Sequence, residues 1–250
     1  MKIFIDTANL ADIEDALKRG LIDGITTNPS LLAKEPKAKF EDHIQKIIDL
    51  VYKWRGTSPI SISVEVFSRD PDEILKQARE FQRRFNYPAL SVKIHIGWNE
   101  LGIIRMLSQQ GISVNCTACM TPTQALMAAA AGARYVSLFW GRIRDSGDKS
   151  KPTWPAIEKM LSSGDLHIDD LDPAKVMAKT RELIEQRHIN SEIIAGSMRS
   201  KEDVKNAMLA GAHIVTVPPK FFPDLPAILR HPKTDEVVDQ FLKDFEGWLK

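Results

Sequence analysis

The chain has 250 residues, with 34 Lys and Arg against 33 Asp and Glu. A charge of +1 carries none of the basic excess that a nucleic-acid surface needs, and no stretch approaches the roughly 18 uncharged apolar residues of a membrane span. The N-terminal MKIFIDTANL meets an aspartate at Asp6, which argues against a signal peptide and for a cytoplasmic protein with neither nucleic-acid nor membrane partners.

Short β-branched runs alternate with longer helical ones. Lys2 to Asp6 reads as a strand, and Asn9 to Arg19 as a helix with an Asn cap and an acidic first turn. Gly24 to Thr27 is the next strand, running into Asn28-Pro29-Ser30, and an amphipathic helix follows from Ala38 to Trp54. Pro59 to Phe67 is a strand; Asp70-Pro71-Asp72 opens a helix that runs through Phe85. Leu90 to Ile96 is the fourth strand, followed by a helix from Asn99 to Gln110. Strand Ile112 to Ala118, helix Pro122 to Ala131 and strand Tyr135 to Trp140 continue the alternation. Ile193 to Met198 is a strand, Lys201 to Ala210 a helix and His213 to Val217 the eighth strand. A C-terminal helical stretch is expected from about 224 to 248, interrupted near Pro232.

Eight strands, each followed by a helix, imply right-handed βαβ units and a parallel sheet. Eight units in this length fit a (β/α)8 barrel. A doubly wound open sheet would carry a Gly-rich turn after its first strand; here that turn is Asp-Thr-Ala-Asn. The predicted fold is α/β, one (β/α)8 TIM barrel domain over residues 1–250. It carries a helical insertion after strand six, at about 143–190, and a C-terminal helical extension. Within the insertion, polar Asp145 to Pro152 precedes two separate helices, Trp154 to Leu161 and Pro173 to Arg187. A lid or pocket wall and a surface elaboration or subunit contact both remain open for it.

Cys116 and Cys119 are spaced C-x-x-C. Residues three apart on a strand face opposite sides, and no further ligands of zinc spacing are evident. Both are read as ordinary reduced thiols, and no metal site is expected.

The fourth strand holds the chemistry. Ser91, Lys93 and His95 share one face, with Val92, Ile94 and Ile96 opposite. A lysine there must reach water or find a partner. Burial disfavours a charged amine, and a neutral amine attacks carbonyl carbon. The same parity groups Phe4 with Asp6, and Ser61 with Ser63 and Glu65. It further groups Ser113 with Asn115 and Thr117, Tyr135 with Ser137 and Phe139, and Ala195 with Ser197 and Arg199. The polar residue comes late in each strand, and barrel chemistry sits at the strands' C-terminal ends. Asp6, Glu65, Lys93, Asn115, Thr117, Ser137 and Ser197 are therefore predicted to converge.

An imine formed by Lys93 with a ketone, once protonated, would make the adjacent C–C bond cleavable. Asp6, or Glu65 acting through a water, is the candidate base for the β-hydroxyl proton. Asn115 is placed to donate to substrate hydroxyls or to Lys93. Arg142 and Arg199, late in or just after their strands, suit an anionic group.

The stretches IFIDTAN, GITTNPSLLAKE, SISVEV, SVKI, VNCTACMTPTQALMAAAAGARYVSLFWGRIRD and AGSMRS resemble the transaldolase family, in particular its small members and the related fructose-6-phosphate aldolases. The resemblance implies a class I aldolase-type barrel with Lys93 as the Schiff-base lysine and Asp6 as acid/base at the cleaved bond. Glu65 and Thr117 would activate the catalytic water, and Asn28 and Asn115 would bind the dihydroxyacetone portion. Arg142, Ser197 and Arg199 would bind phosphate, with Thr27 and Ser137 completing the substrate-binding set. It implies a sugar-phosphate or other anionic ketose substrate, no organic cofactor or metal, and rings of subunits, often pentamers or decamers, built through the C-terminal helix. Glu65 in place of Gln, and Phe139 in place of Tyr, resemble transaldolases more than the aldolases. The implied activity is therefore transfer of a three-carbon unit, with an aldolase that releases free dihydroxyacetone and a catalytically silent sugar-phosphate-binding barrel as alternatives. His95, Gly97, Leu138 and Met198 depart from the usual residues, and the insertion is longer than in small members. His95, on the face of Lys93, is placed to shape the acceptor pocket.

Overall fold

The computed structural model describes residues 1–223 and 231–246. Strands β1 (Lys2–Asp6), β2 (Gly24–Thr26), β3 (Ser61–Glu65) and β4 (Leu90–His95) pair in parallel with one another in that order. Strands β5 (Val114–Cys119), β6 (Tyr135–Phe139), β7 (Glu192–Gly196) and β8 (Ile214–Val217) continue the sheet, and β8 returns to β1. The result is a closed eight-stranded parallel barrel wrapped by helices, the predicted (β/α)8 TIM barrel.

The helices begin where the sequence supplies caps. Asn9 accepts from the backbone of Ala11 and Asp12 at the start of α1 (Leu10–Lys18). A four-residue α2 (Pro29–Leu32) is capped by Asn28, and α3 (Phe40–Arg55) follows. Asp70 caps α4 (Pro71–Phe85) through Glu73 N. After α5 (Trp98–Gln109), Thr121 caps α6 (Pro122–Ala130) through Gln124 N. Such caps satisfy backbone donors that a helix leaves open at its N-terminus.

Alternation sorts the strands into two layers. Ile62, Val64, Val92, Ile94 and Val114 face outward into the main core against Ile13, Ile44, Ile74 and Ile104. The inward face closes at the N-terminal end on Phe4, Tyr135, Ile194 and Ile214, with the Phe4 and Tyr135 rings edge to face at 6.2 Å.

Three expectations change. Cys116 and Cys119 do not face opposite sides. The β5–β6 register shifts between them, Ala118 sits at φ +62°, and both thiols enter the outer core with sulfurs 3.9 Å apart. The bulge supplies the extra residue that restores them to one face.

The seventh strand has the opposite parity to that expected. Ser137 pairs with Ile194 and Phe139 with Gly196, so Ile194 and Gly196 face inward while Ala195 packs into the outer core.

The insertion begins with a helix the sequence did not announce, α7 (Trp140–Ser146), which follows β6 directly and has no side-chain cap. Helix α8 (Trp154–Ser163) buries no residue. A 3-10 turn (Ile168–Leu171) leads to α9 (Pro173–Gln186), which packs Val176, Met177, Thr180 and Ile184 against the barrel. Helix α10 (Lys201–Leu209) precedes β8, and the C-terminal α11 spans Pro232–Glu246. The expected helical stretch over 224–230 lies outside the described residues.

Candidate active site

At the C-terminal end of the barrel lies a cavity of about 440 Å³, and Lys93 lines it although only 5% exposed. Glu65 and Lys93 are paired neighbours across β3 and β4. Lys93 Nζ lies 2.9 Å from Glu65 Oε2 and donates to the carbonyl of Thr27 at 2.9 Å. A lysine this buried requires partners, and these two aim its amine into the cavity.

Asp6 lines the same cavity from β1. Thr26 Oγ1 donates to Asp6 Oδ1 at 2.7 Å and lies 2.6 Å from Thr216 Oγ1. A hydroxyl has one proton, so the order runs Thr216 to Thr26 to Asp6. Burial pushes the Asp6 carboxyl above its ordinary value; the Lys93 charge and the Thr26 hydrogen bond pull it down, and Glu65 pushes it up. A carboxyl held partly toward its protonated form is suited to taking and returning a proton. Thr26 and Thr216 were missed in the sequence because threonine reads as an ordinary strand former.

Below Lys93 runs a hydroxyl–amide belt. Ser137 Oγ donates to Asn115 Oδ1 at 2.7 Å, and Asn115 Nδ2 donates to Ser63 Oγ at 3.2 Å. Ser137 lines the cavity; Asn115 is fully buried and is not among the residues lining it. Thr117 lines it too, and its buried Oγ1 has no partner among the described residues, so it is available to whatever fills the space.

The remaining predicted residues divide. Asn28, Arg142 and Ser197 line the cavity. Asn28 also accepts from Leu31 N as the α2 cap. Ser197 adopts φ +61°, a left-handed conformation uncommon for serine, and this brings it to the cavity despite the reversed parity of β7. Thr27 does not line it: its hydroxyl donates to the Ser63 carbonyl at 3.1 Å, and its contribution is the carbonyl that holds Lys93.

Arg199 does not line the cavity either. Its guanidinium forms a two-pronged pair with Asp145 of α7, one arm at 2.6 Å. This pairing holds Asp145 below the usual carboxylate range. Gly141 makes the approach possible: a Cβ there would lie 2.6 Å from the Ser197 carbonyl and 2.7 Å from Arg199 Nε.

His95 is also absent from the lining residues. Its Nε2 lies 3.2 Å from Oε1 of the buried Glu100, whose carboxylate occupies the space where a Cβ at Gly97 would fall. Two departures from the expected pattern, His95 and Gly97, thus build one local contact at the mouth of β4. Among the described residues, none from 143–190 lines the cavity; the insertion reaches the site through Asp145 on Arg199. Nor do the described residues group three or more His, Cys, Asp or Glu as a metal would need.

A lysine, two carboxylates and an arginine at the C-terminal mouth of a closed barrel are the stations the sequence motifs pointed to. A family model described as transaldolase/fructose-6-phosphate aldolase matches residues 3–249. The chain belongs to that family. It is 36% identical over 250 residues to a probable transaldolase of Alkaliphilus metalliredigens, covering 100% of both chains. It is 37% identical over 246 residues to a probable transaldolase of Desulforapulum autotrophicum, 98% of each chain, and 37% identical over 250 residues to probable transaldolase 1 of Listeria monocytogenes, 100% of each.

Proposed function

We propose that this family member is a transaldolase, moving a three-carbon dihydroxyacetone unit from a ketose phosphate resembling fructose 6-phosphate to an aldose acceptor through an imine on Lys93. The observation that carries the reading is the buried Lys93 amine at the cavity floor, 2.9 Å from the Glu65 carboxylate.

In this scheme the Lys93 amine adds to the ketose carbonyl, and loss of water leaves a protonated imine. Asp6 takes the proton of the β-hydroxyl as the C–C bond breaks. The bonding pair moves to the imine nitrogen, giving an enamine and releasing the first aldehyde. The enamine carbon then attacks the acceptor aldehyde, and Asp6 returns its proton to the new alkoxide. Thr117 Oγ1 and Glu65 handle the water lost and regained. Arg142 and Ser197 contact the distal phosphate, while Arg199, engaged by Asp145, supports them from behind.

Glu65 and Phe139 favour transfer over simple cleavage. Incubation with fructose 6-phosphate and erythrose 4-phosphate tests it. Transfer without accumulation of free dihydroxyacetone is expected. Release of free dihydroxyacetone at the rate of donor loss would indicate an aldolase, and no turnover of any ketose a silent binding barrel.

A cytoplasmic homo-oligomer belongs to the same proposal. No described helix is long and apolar enough to cross a membrane. Every described residue of α11 is exposed, including Val238, Phe241, Leu242 and Phe245. An apolar helix face left on the surface favours burial against a second copy. Native mass spectrometry is expected to give a mass of five or ten chains; a monomer would contradict it.

A further inference from the structure

The barrel has a second polar mouth. At the N-terminal ends of its strands a cavity of about 560 Å³ is lined by Lys2, Asp23, Arg55 and Arg134, with Phe4 and Tyr135 among its apolar walls. It shares no lining residue with the cavity around Lys93. The cluster of Phe4, Tyr135, Ile194 and Ile214 separates them, with Phe4 and Tyr135 lining one cavity and Ile194 the other.

Three observations point to a ligand. Ser61 lines this cavity at 9% exposure, and its buried Oγ has no hydrogen-bond partner among the described residues. Arg134 donates Nη2 to Glu192 at 2.7 Å, but its Nη1 is buried and unpartnered. The Arg55 guanidinium lines the cavity with neither an ion pair nor a hydrogen bond among the described residues. Buried polar groups are rarely left unmatched; Ser61 Oγ and Arg134 Nη1 are two such groups, and Arg55 adds a part-exposed guanidinium beside them.

The carboxylates nearby are already used. Asp23 accepts from Ile3 N at 2.9 Å, and Glu192 is shared by Lys2 and Arg134. With Glu192 behind Lys2 and Arg134, three cations still face two acids, so what fits is rich in acceptors and negatively charged. The planar fork of Arg55, the single free arm of Arg134 and a hydroxyl suit the terminal oxygens of a tetrahedral oxyanion. Pro59, Pro88 and Leu90 offer apolar wall to a short organic body.

We propose that the N-terminal mouth is a binding site for a small phosphate monoester, held by Arg55, Arg134 Nη1 and Ser61 Oγ and separate from the catalytic cavity.

Isothermal titration with glycerol 2-phosphate and with inorganic phosphate tests it. The titrations are run on the full chain in an Arg142→Leu background, so that the catalytic cavity contributes least. Saturable binding is expected to persist there, to weaken tenfold or more with Arg55→Met, and to weaken at least threefold with Ser61→Ala. Ser61→Ala removes only a hydroxyl, and circular dichroism confirms that it folds. The proposal is overturned if no saturable binding remains in the Arg142→Leu background, or if binding there is unchanged by both Arg55→Met and Ser61→Ala.

Discussion

The two halves of the cavity around Lys93 are built differently. Asp6, Glu65 and Lys93 stand on β1, β3 and β4, where parallel ladders fix each backbone and Glu65 and Lys93 are register partners. The half proposed to bind the anion is carried by strand-to-helix connections. Arg142 sits in the first turn of α7, Ser197 in a left-handed turn after β7, and Arg199 beyond it on the Asp145 pair. The groups proposed to react thus rest on paired strands, and those proposed to recognise the anion on a few side-chain contacts that substitution can retune.

If the strand-borne half carries the chemistry, damage there must be the more severe. Lys93→Met should abolish covalent capture of a ketose and reduce turnover to background in a coupled assay. Asp6→Asn should lower kcat by roughly 10²–10⁴-fold, the usual worth of a positioned acid/base, while leaving imine formation detectable by mass spectrometry.

The same substitution also acts on stability. Because burial holds Asp6 above its ordinary value of 3.8, the folded chain keeps a proton that the unfolded chain has released. Stability contributed by this group therefore falls as pH rises from the ordinary value through the raised one, and ionised Asp6 is a net cost above that window. Asp6→Asn should melt higher than the parent at pH 7 in differential scanning calorimetry, and the gap should close as pH falls below the ordinary aspartate range.

Effects in the connection-borne half should be smaller and fall on KM. Arg142→Leu should raise KM for a phosphorylated ketose roughly 10–100-fold, as expected for the loss of a charge-assisted hydrogen bond, with little change for an unphosphorylated ketose. Asp145→Asn, which frees Arg199, should shift that KM by only about threefold; a change as large as that of Arg142→Leu would place Arg199 in direct contact with substrate.

What could be read from the sequence follows the same division. Strand parity located Asp6, Glu65, Lys93, Thr117 and Ser137 because β1, β3, β4, β5 and β6 alternate apolar with polar residues up to the site. It failed at β7, where Glu192–Gly196 is nearly all apolar and carries no alternation to read. Ser197 still reaches the cavity, by a positive φ that no pattern encodes. The C-x-x-C reading failed for a related reason, since the bulge at Ala118 resets the two-residue period. Helix α7 was missed because Trp140–Ser146 continues straight from a strand without a capping side chain. The pairing of Arg199 with Asp145, 54 residues apart, depends on how β6 and β7 lie side by side.

In the proposed reaction the buried Lys93 amine is the nucleophile. Incubation with fructose 6-phosphate and borohydride, followed by peptide mass spectrometry, tests it most directly. One reduced adduct is expected, on Lys93, lost in Lys93→Met and retained in Arg142→Leu at high ketose. Trapping on any other lysine, or none with any ketose while the chain remains folded, would contradict it.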